Sequence, residues 1–294
     1  MPDNVNKTER RGLPMQSSQS QPNQMQVDII ASEVSDNFFY VVHDAAGKAA
    51  LIDPIDGAQA VAHISEHGLD LELVVNTHFH HDHIGGNDTV FERFPNARLV
   101  AGAGDSERIE AQQSRSIDRR LADGDSVEVG EASLTVLDTP GHTPGHISLL
   151  GGEHLFCGDT IFVAGAGNCK FGGDPSVLYR TFASVLSELD DEVVFYPGHD
   201  YSVRDLEFAL SLEPDNERAE ELLEEARAKN EAGEIFLTTL GTERRYSPFF
   251  RYSDPELVRA LEDEHADVFE EEREESETRD EAVFRTVREL RNRW

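Results

Sequence analysis

Three features of the sequence predict an α/β fold, with two sheets covered by helices and a helical domain after them. From Val27 to about Tyr201, short apolar runs alternate with turn residues, as strands do. These runs follow one another in meander order with few helical stretches between them, unlike strict βαβ alternation. After Tyr201 the apolar spacing becomes helical. The expected organisation is a tail at 1–24, a sheet domain at 25–201, and a helical domain at 202–294 with an acidic insertion at about 254–280.

Residues 1–24 are polar, rich in Gln, Asn and Ser, and aperiodic. They read as a disordered tail, or as an over-long start with Met25 the true initiator. Strands are expected at Val27–Ala31, Phe38–His43, Ala49–Asp53, Leu71–Asn76, Arg98–Ala101, Ser126–Val129, Ser133–Asp138, Ile147–Leu150, His154–Cys157 and Glu192–Tyr196. A helix is expected from about Ala58 to His67. Another, Pro175–Leu189, spaces Leu178, Phe182, Val185, Leu186 and Leu189 along one face. In the tail domain Asn216 reads as an N-cap, Ala219, Leu222, Leu223 and Ala226 as an apolar stripe, and Gly233 as the stop. Residues 261–280 hold eleven acids and two arginines, either a solvated helix face or a flexible insertion. The last segment aligns Val283, Phe284, Val287 and Leu290, with Arg285, Arg288, Arg291 and Arg293 around them, suited to a negative helix end.

The 294 residues suffice for a large core. Acidic residues number 58 and basic ones 26, a net charge of −32, which argues against binding to nucleic acid or anionic lipid. No apolar run reaches membrane-span length, and the first residues carry no signal-peptide core, so the expected compartment is the cytoplasm. The two cysteines exclude a disulfide framework. Cys157 lies in an apolar run and reads as packing; Cys169, beside Lys170, reads as the more exposed. Of the basic residues 22 are Arg and only 4 are Lys. Abundant carboxylates with few lysines suit a high-salt cytoplasm, where screening relieves self-repulsion.

The chemistry concentrates in THFHHDH at 77–83, after the apolar strand LELVVN and before Gly85-Gly86. His78 and His80, two apart in an extended turn, can hold one ion; Asp82 and His83 leave the turn on the other side and can serve a second. Three later motifs each put a lone ligand type beside glycine at a strand end: His142 in TPGHTPGH, Asp159 in LFCGDT and His199 in VFYPGHD. Such residues can converge from different strands. A His-rich surface loop explains the first motif alone, but not all four in this order. His146 reads as structural, and His43, His63, His67, His154 and His265 as surface or packing residues.

These motifs, in order and spacing, resemble the metallo-β-lactamase superfamily. The resemblance implies an αβ/βα four-layer sandwich with two divalent ions at one edge, zinc foremost, with iron or manganese as alternatives. It implies His78, His80 and His142 on the first ion, Asp82, His83 and His199 on the second, and Asp159 bridging both. Asp82 and Asp159 would also orient the attacking hydroxide. NCKFGGDPSVLYRTF, PGHDYSVRDLEFALSLEPDN and GEIFLTTLGTERRYSPFFR are similar to glyoxalase II, the hydroxyacylglutathione hydrolases, over about 26–252 and again in the last dozen residues. That similarity implies Lys170 and Tyr201 against the thiol carrier, and Arg288 and Arg291 on a carrier carboxylate. It also implies a role in methylglyoxal detoxification. Gly172 stands where the family often has Tyr, so a shorter thiol such as γ-glutamylcysteine stays open beside glutathione.

The expected partner is a small-molecule thioester, hydrolysed to a hydroxy acid and a thiol by water activated between two ions; the chain is expected to be a monomer or weak homo-oligomer. The rival readings are a one-iron persulfide dioxygenase, using His78, His142 and Asp159, and a non-catalytic metal-stabilised interaction module. The charge itself generates a test: the melting temperature should rise from dilute buffer to molar KCl, and an unchanged value would remove salt adaptation.

Overall fold

Apolar residues alternate along the first strands in such a way that each strand serves two interfaces. In the computed structural model, which describes residues 25–294, Tyr40 and Val42 face one side of a sheet and Phe39 and Val41 the other, and all four are buried. The expected tail at 1–24 lies outside the described residues.

The first sheet takes β1 (Gln26–Ala31), β2 (Phe38–His43), β3 (Lys48–Ile52), β4 (Asp70–Asn76), β5 (Arg98–Gly102) and β6 (Arg119–Leu121), in that order. The second takes β7 (Ser126–Val129), β8 (Ala132–Asp138), β9 (Ile147–Gly151), β10 (His154–Gly158) and, beyond a hairpin of β11 (Ile161–Phe162) and β12 (Gly165–Ala166), β13 (Val194–Pro197). Its order is β13-β10-β9-β8-β7. Between the sheets pack Tyr40, Ile52, Val75, Val136, Leu149 and Phe156. The outer face of the first sheet is covered by α1 (Gly57–Glu66), through Ala60 and Ile64, together with Val90 and Phe91. The outer face of the second packs on helices of the tail. Helices, sheet, sheet, helices make four layers, an α/β fold with a helical C-terminal region.

Strand direction places the site. β3, β4, β5 and β6 pair in parallel, so their C-terminal ends share one edge. β10 and β13 are also parallel, and β8 runs the same way as β10 because both are antiparallel to β9. The segments that carry the motifs therefore all leave the strands on one side.

Every expected strand is present to within two residues at its ends. Unanticipated are β6 and the β11–β12 hairpin, too short for a period to register, and three short helices: α2 (His81–Ile84), α3 (Asn87–Arg93) and α4 (Ser106–Glu110). The helix expected at 175–189 is α5 (Pro175–Ser184), capped by Asp174 and followed by a short 3-10 turn at Leu186–Glu188. Next come α6 (Ser202–Leu212), α7 (Glu217–Glu231), capped by the Asn216 side chain, and α8 (Leu240–Tyr246). The acidic stretch is helical: α9 (Pro255–Glu264) and α10 (Ala266–Glu275) bury Leu257, Val258, Leu261, Val268 and Phe269 and turn their acids to solvent, except Glu272, which pairs with Arg285. The final helix, α11 (Arg279–Arg293), buries Val283, Phe284 and Val287 as expected, and also Arg288 and Arg291. Cys169 is half-buried and, as expected, more exposed than the buried Cys157; burial still pushes its thiol up to about 12.

One buried carboxylate adds a polar tie between the helical region and the sandwich, beside their shared apolar core. Glu243 of α8, fully buried, accepts hydrogen bonds from the Ala164 backbone N–H at 2.9 Å and from the Thr238 and Tyr246 hydroxyls at 2.6 Å each. Ala164 has a φ of +55°, a conformation a non-glycine residue adopts only under such restraint. Burial pushes the Glu243 carboxyl up to about 7. The folded state thus favours the protonated acid. That contribution is present below the unfolded value of 4.5 and is lost as pH rises through about 7. Denaturant melts of wild type and Glu243→Gln should show the wild type losing ground to the variant across this window, by up to about 3 kcal/mol. A pH-independent difference would contradict a buried acid at this position.

Candidate metal centre

Beyond β4 the chain turns through Thr77 and His78 to His80, and α2 then carries Asp82 and His83. His142 follows β8, Asp159 follows β10 and His199 follows β13. Glycine makes the approach possible. Gly158 has a φ of +44°, and a Cβ there would lie 2.4 Å from Thr77 Oγ1. A Cβ at Gly198 would lie 2.4 Å from the His83 ring and 2.5 Å from Asp159 Oδ1.

The seven expected ligands meet as two groups with one carboxylate between them. His78, His80 and His142 can bring ligand nitrogens within 4.8 Å of one another, and so can Asp82, His83 and His199. His80 Nδ1 is 3.1 Å from His78 Nε2 and 2.9 Å from His142 Nε2. Asp82 Oδ2 is 3.2 Å from His199 Nε2. Asp159 faces both groups: its Oδ2 lies 3.5 Å from His142 Nε2 and 3.6 Å from His199 Nε2, and its Oδ1 lies 3.3 Å from His83 Nε2.

The ring nitrogens that point away from the centre are held by the protein. His78 Nδ1 lies 3.0 Å from Thr77 Oγ1, whose own proton goes to Asp53. His142 Nδ1 donates to the Asn168 carbonyl at 2.6 Å, and His80 Nε2 to the Phe171 carbonyl at 3.3 Å. His83 Nδ1 donates to Asp53 Oδ2 at 3.0 Å. Each contact sets a tautomer and leaves a lone pair aimed at the centre. His146 stays outside, as expected; its Nε2 accepts the Asp159 backbone N–H at 3.2 Å.

Sequence reasoning missed Asp53 and Asn37. Asp53, with a φ of +54°, accepts from the Thr77 backbone N–H and hydroxyl as well as from His83. Its only local signal is an acid at a strand end before Pro54. Asn37 donates to Asp82 Oδ2 at 3.2 Å and lies 3.3 Å from His199 Nε2; nothing local marks it.

The donor set fits divalent ions. His83 Nε2 and Asp159 Oδ1 are buried without a hydrogen-bond partner although they lie close together. Burial pushes His142 down to about 4 and His78 well below the ordinary imidazole value, so both offer lone pairs at neutral pH. Burial opposes a charge on Asp159 too, but His83 and His199 outweigh it and hold the acid well below the usual carboxylate range. Imidazole and carboxylate together suit zinc, iron or manganese.

Beside the centre opens a cavity of about 480 Å³, lined by Asp159, Lys170 and Tyr201 and, from the last helix, Arg288 and Arg291. The four expected carrier-binding residues thus share one space with Asp159. Tyr201 stacks on His199, ring centroids 4.9 Å apart. Lys170 is exposed at the rim, in the loop whose carbonyls at Asn168 and Phe171 hold His142 and His80.

The profile of the metallo-beta-lactamase superfamily matches residues 33–199, and that of the hydroxyacylglutathione hydrolase C-terminus matches 200–294. A hydroxyacylglutathione hydrolase of Nitrosococcus oceani is 40% identical over 263 residues, 88% of this chain and 95% of its own. One from a Polaromonas species is 39% identical over the same shares. Among solved structures, ETHE1 from Myxococcus xanthus has a TM-score of 0.59 at 29% identity, over 81% of this chain and 90% of its own. A metallo-beta-lactamase from Staphylococcus aureus has a TM-score of 0.59 at 22% identity, over 83% and 67%, a likeness of fold alone.

The restraint supplied by Asp53 can be measured directly. Asp53→Ala should weaken metal binding by about 10- to 100-fold, as loss of a group that orients a ligand does, read by competition with a chromogenic chelator. Unchanged affinity would mean that His83 needs no such partner.

Proposed function

The chain belongs to the hydroxyacylglutathione hydrolase branch of the metallo-β-lactamase superfamily, and on that basis we propose that it hydrolyses the thioester of a 2-hydroxy acid with a glutathione-type thiol. What supports this reading is one observation: seven imidazole and carboxylate side chains converge, and one of them, Asp159, lines a cavity together with basic groups from the last helix. His78, His80 and His142 would hold one divalent ion, Asp82, His83 and His199 a second, with Asp159 between them; zinc suits this donor set. Such ions, when bound, make water acidic enough to ionise near neutral pH and supply positive charge to a carbonyl oxygen.

The chain's own residues do the rest. Asp82 and Asp159 face the space between the two groups and orient the attacking water. Asp159 Oδ2 reaches toward both His142 and His199, where it accepts a hydrogen bond from that water rather than its proton. Lys170, Tyr201, Arg288 and Arg291 dock the carrier, and this remote binding holds the thioester carbonyl in line for attack. The leaving group is a thiol with a pKa of about 8.5, so it departs as thiolate without a strong acid beside it. Tyr201, stacked on His199, bounds the cavity on the side of the second group and limits the acyl portion to a small one.

The substrate is the lactoyl thioester that follows capture of methylglyoxal by a thiol, and the compartment is a salt-rich cytoplasm, in keeping with a charge of −32. A one-iron dioxygenase would have no use for Asp82, His83 and His199. In metal-replete protein, Asp159→Ala and His83→Ala should each abolish most turnover of lactoylglutathione, while Lys170→Ala should raise KM more than it lowers kcat. Near wild-type kcat in either of the first two would rule out the two-ion reading, and metal analysis of the same samples identifies the ion.

A further inference from the structure

Three charged groups meet where the last helix closes the cavity. Asp205 of α6 is buried, and its Oδ1 accepts a hydrogen bond from Arg291 Nε at 2.5 Å. Its Oδ2 abuts the β11–β12 hairpin at Gly165, where a Cβ would come within 2.1 Å of it. Arg288, one turn before Arg291 on the same face of α11, donates to the Ala166 carbonyl and, at 3.3 Å, to Asn292 Oδ1. Its Nε is buried with no partner. Arg288 and Arg291 are only 6% and 9% exposed, and all three groups line the cavity. Among the described residues, Asp205 is the one carboxylate hydrogen-bonded to either guanidinium.

The charges therefore sum to +1: two buried guanidinium groups and one buried carboxylate. Lys170, Arg204 and Asp36 also line the cavity, but all three are exposed and screened by water and salt, and the Asp159 carboxylate belongs to the imidazole cluster it faces. At the buried end, where the effective dielectric is low, the count of charges decides what can bind. We propose that Asp205 is a specificity-determining residue: it cancels one of two buried cations, so that this end of the cavity accepts one lone carboxylate of the carrier thiol and disfavours a second. The proposal rests on the reading of the reaction given above, and it adds the charge class of the carrier. It also gives Asp205 a purpose distinct from holding Arg291 in place, and the two roles predict opposite results. If Asp205 only positions Arg291, its removal weakens carboxylate binding. If it sets the charge, its removal strengthens it.

The experiment uses S-methylglutathione, which cannot be hydrolysed, and its glycine monoethyl ester, which lacks one lone carboxylate. Binding of each to the full-length, metal-replete protein is measured by calorimetry at fixed ionic strength. The readout is the ratio of the two dissociation constants, ester over acid. Asp205→Asn raises the local charge to +2 and should raise that ratio about tenfold over wild type, the lower end of what a hydrogen bond to a charged group contributes. Arg291→Gln lowers the local charge to zero and should bring the ratio close to one. A ratio for Asp205→Asn equal to or below that of wild type overturns the proposal. So does an unchanged ratio for Arg291→Gln. Should Asp205→Asn not fold, as judged by its thermal melt, Asp205→Ser, which also removes the charge, is read against the same criterion. Lactoylglutathione hydrolysis by wild type is measured alongside. A graded ratio without hydrolysis supports the charge assignment and overturns the reaction reading; a flat ratio with hydrolysis does the reverse.

Discussion

Buried imidazoles crowded at three-ångström spacing are stable only when each ring is held from behind, and this restraint governs the architecture. A neutral imidazole has one donor and one acceptor. When the donor is fixed outward, to Thr77, Phe171, Asn168 or Asp53, the lone pair must point inward. The outward partners come from three different segments, so the centre can exist only where those segments meet. Parallel pairing of β3 with β4 and of β10 with β13 creates that meeting place, and the glycines at 158 and 198 let it close. Asp53, Asp82 and Asp159, none of them paired with a Lys or Arg among the described residues, complete a region of strong negative potential. It draws a proton onto His83, whose affinity for one is raised well above the usual value by Asp159 and Asp53 against the cost of burial, and it would draw a metal cation for the same reason.

How much of this is legible in the chain depends on the range of the signal. The strands are visible because alternation is local, and the ligand motifs because histidine is rare and stands beside glycine at strand ends. Asp53 is not visible. Its partners Thr77 and His83 lie 24 and 30 positions away, and its left-handed backbone would have argued for glycine. The acidic stretch at 261–280 left helix and loose insertion equally open, because its charge outweighs the sparse stripe of Leu257, Leu261 and Phe269 that decides for helix. Arg288 and Arg291 are assigned to a carrier carboxylate through resemblance alone, since a helix end carries no local signal of burial; the fold buries both because Asp205 and the Ala166 carbonyl arrive from elements far earlier in the chain.

The chain keeps two kinds of charge apart. Its surplus of acids is spread over the surface, where salt can screen it, and on α9 and α10 it rides on the outer faces of amphipathic helices. Inside, charges come in small matched sets: Glu213 with Arg251, Asp205 with Arg291, and the imidazole and carboxylate cluster itself. Two buried groups stand outside such pairs: Arg288, held by the Ala166 carbonyl and the Asn292 amide oxygen, and Glu243. Glu243 has hydroxyl and amide donors but no cation, and it answers burial by holding its proton more tightly. A cavity flanked by such sets can recognise an anion despite the acidity of the whole molecule, because buried charges act at short range.

The donation from Arg288 to the Ala166 carbonyl links the last turns of the chain to a hairpin made more than a hundred residues earlier. All seven groups of the cluster precede residue 200, whereas Arg288 and Arg291 are among the last residues made. One wall of the cavity is therefore delivered with the final helix. A chain interrupted before α11 would carry every residue of the cluster and lack that wall, so order of synthesis makes this side of the cavity the last part the molecule acquires.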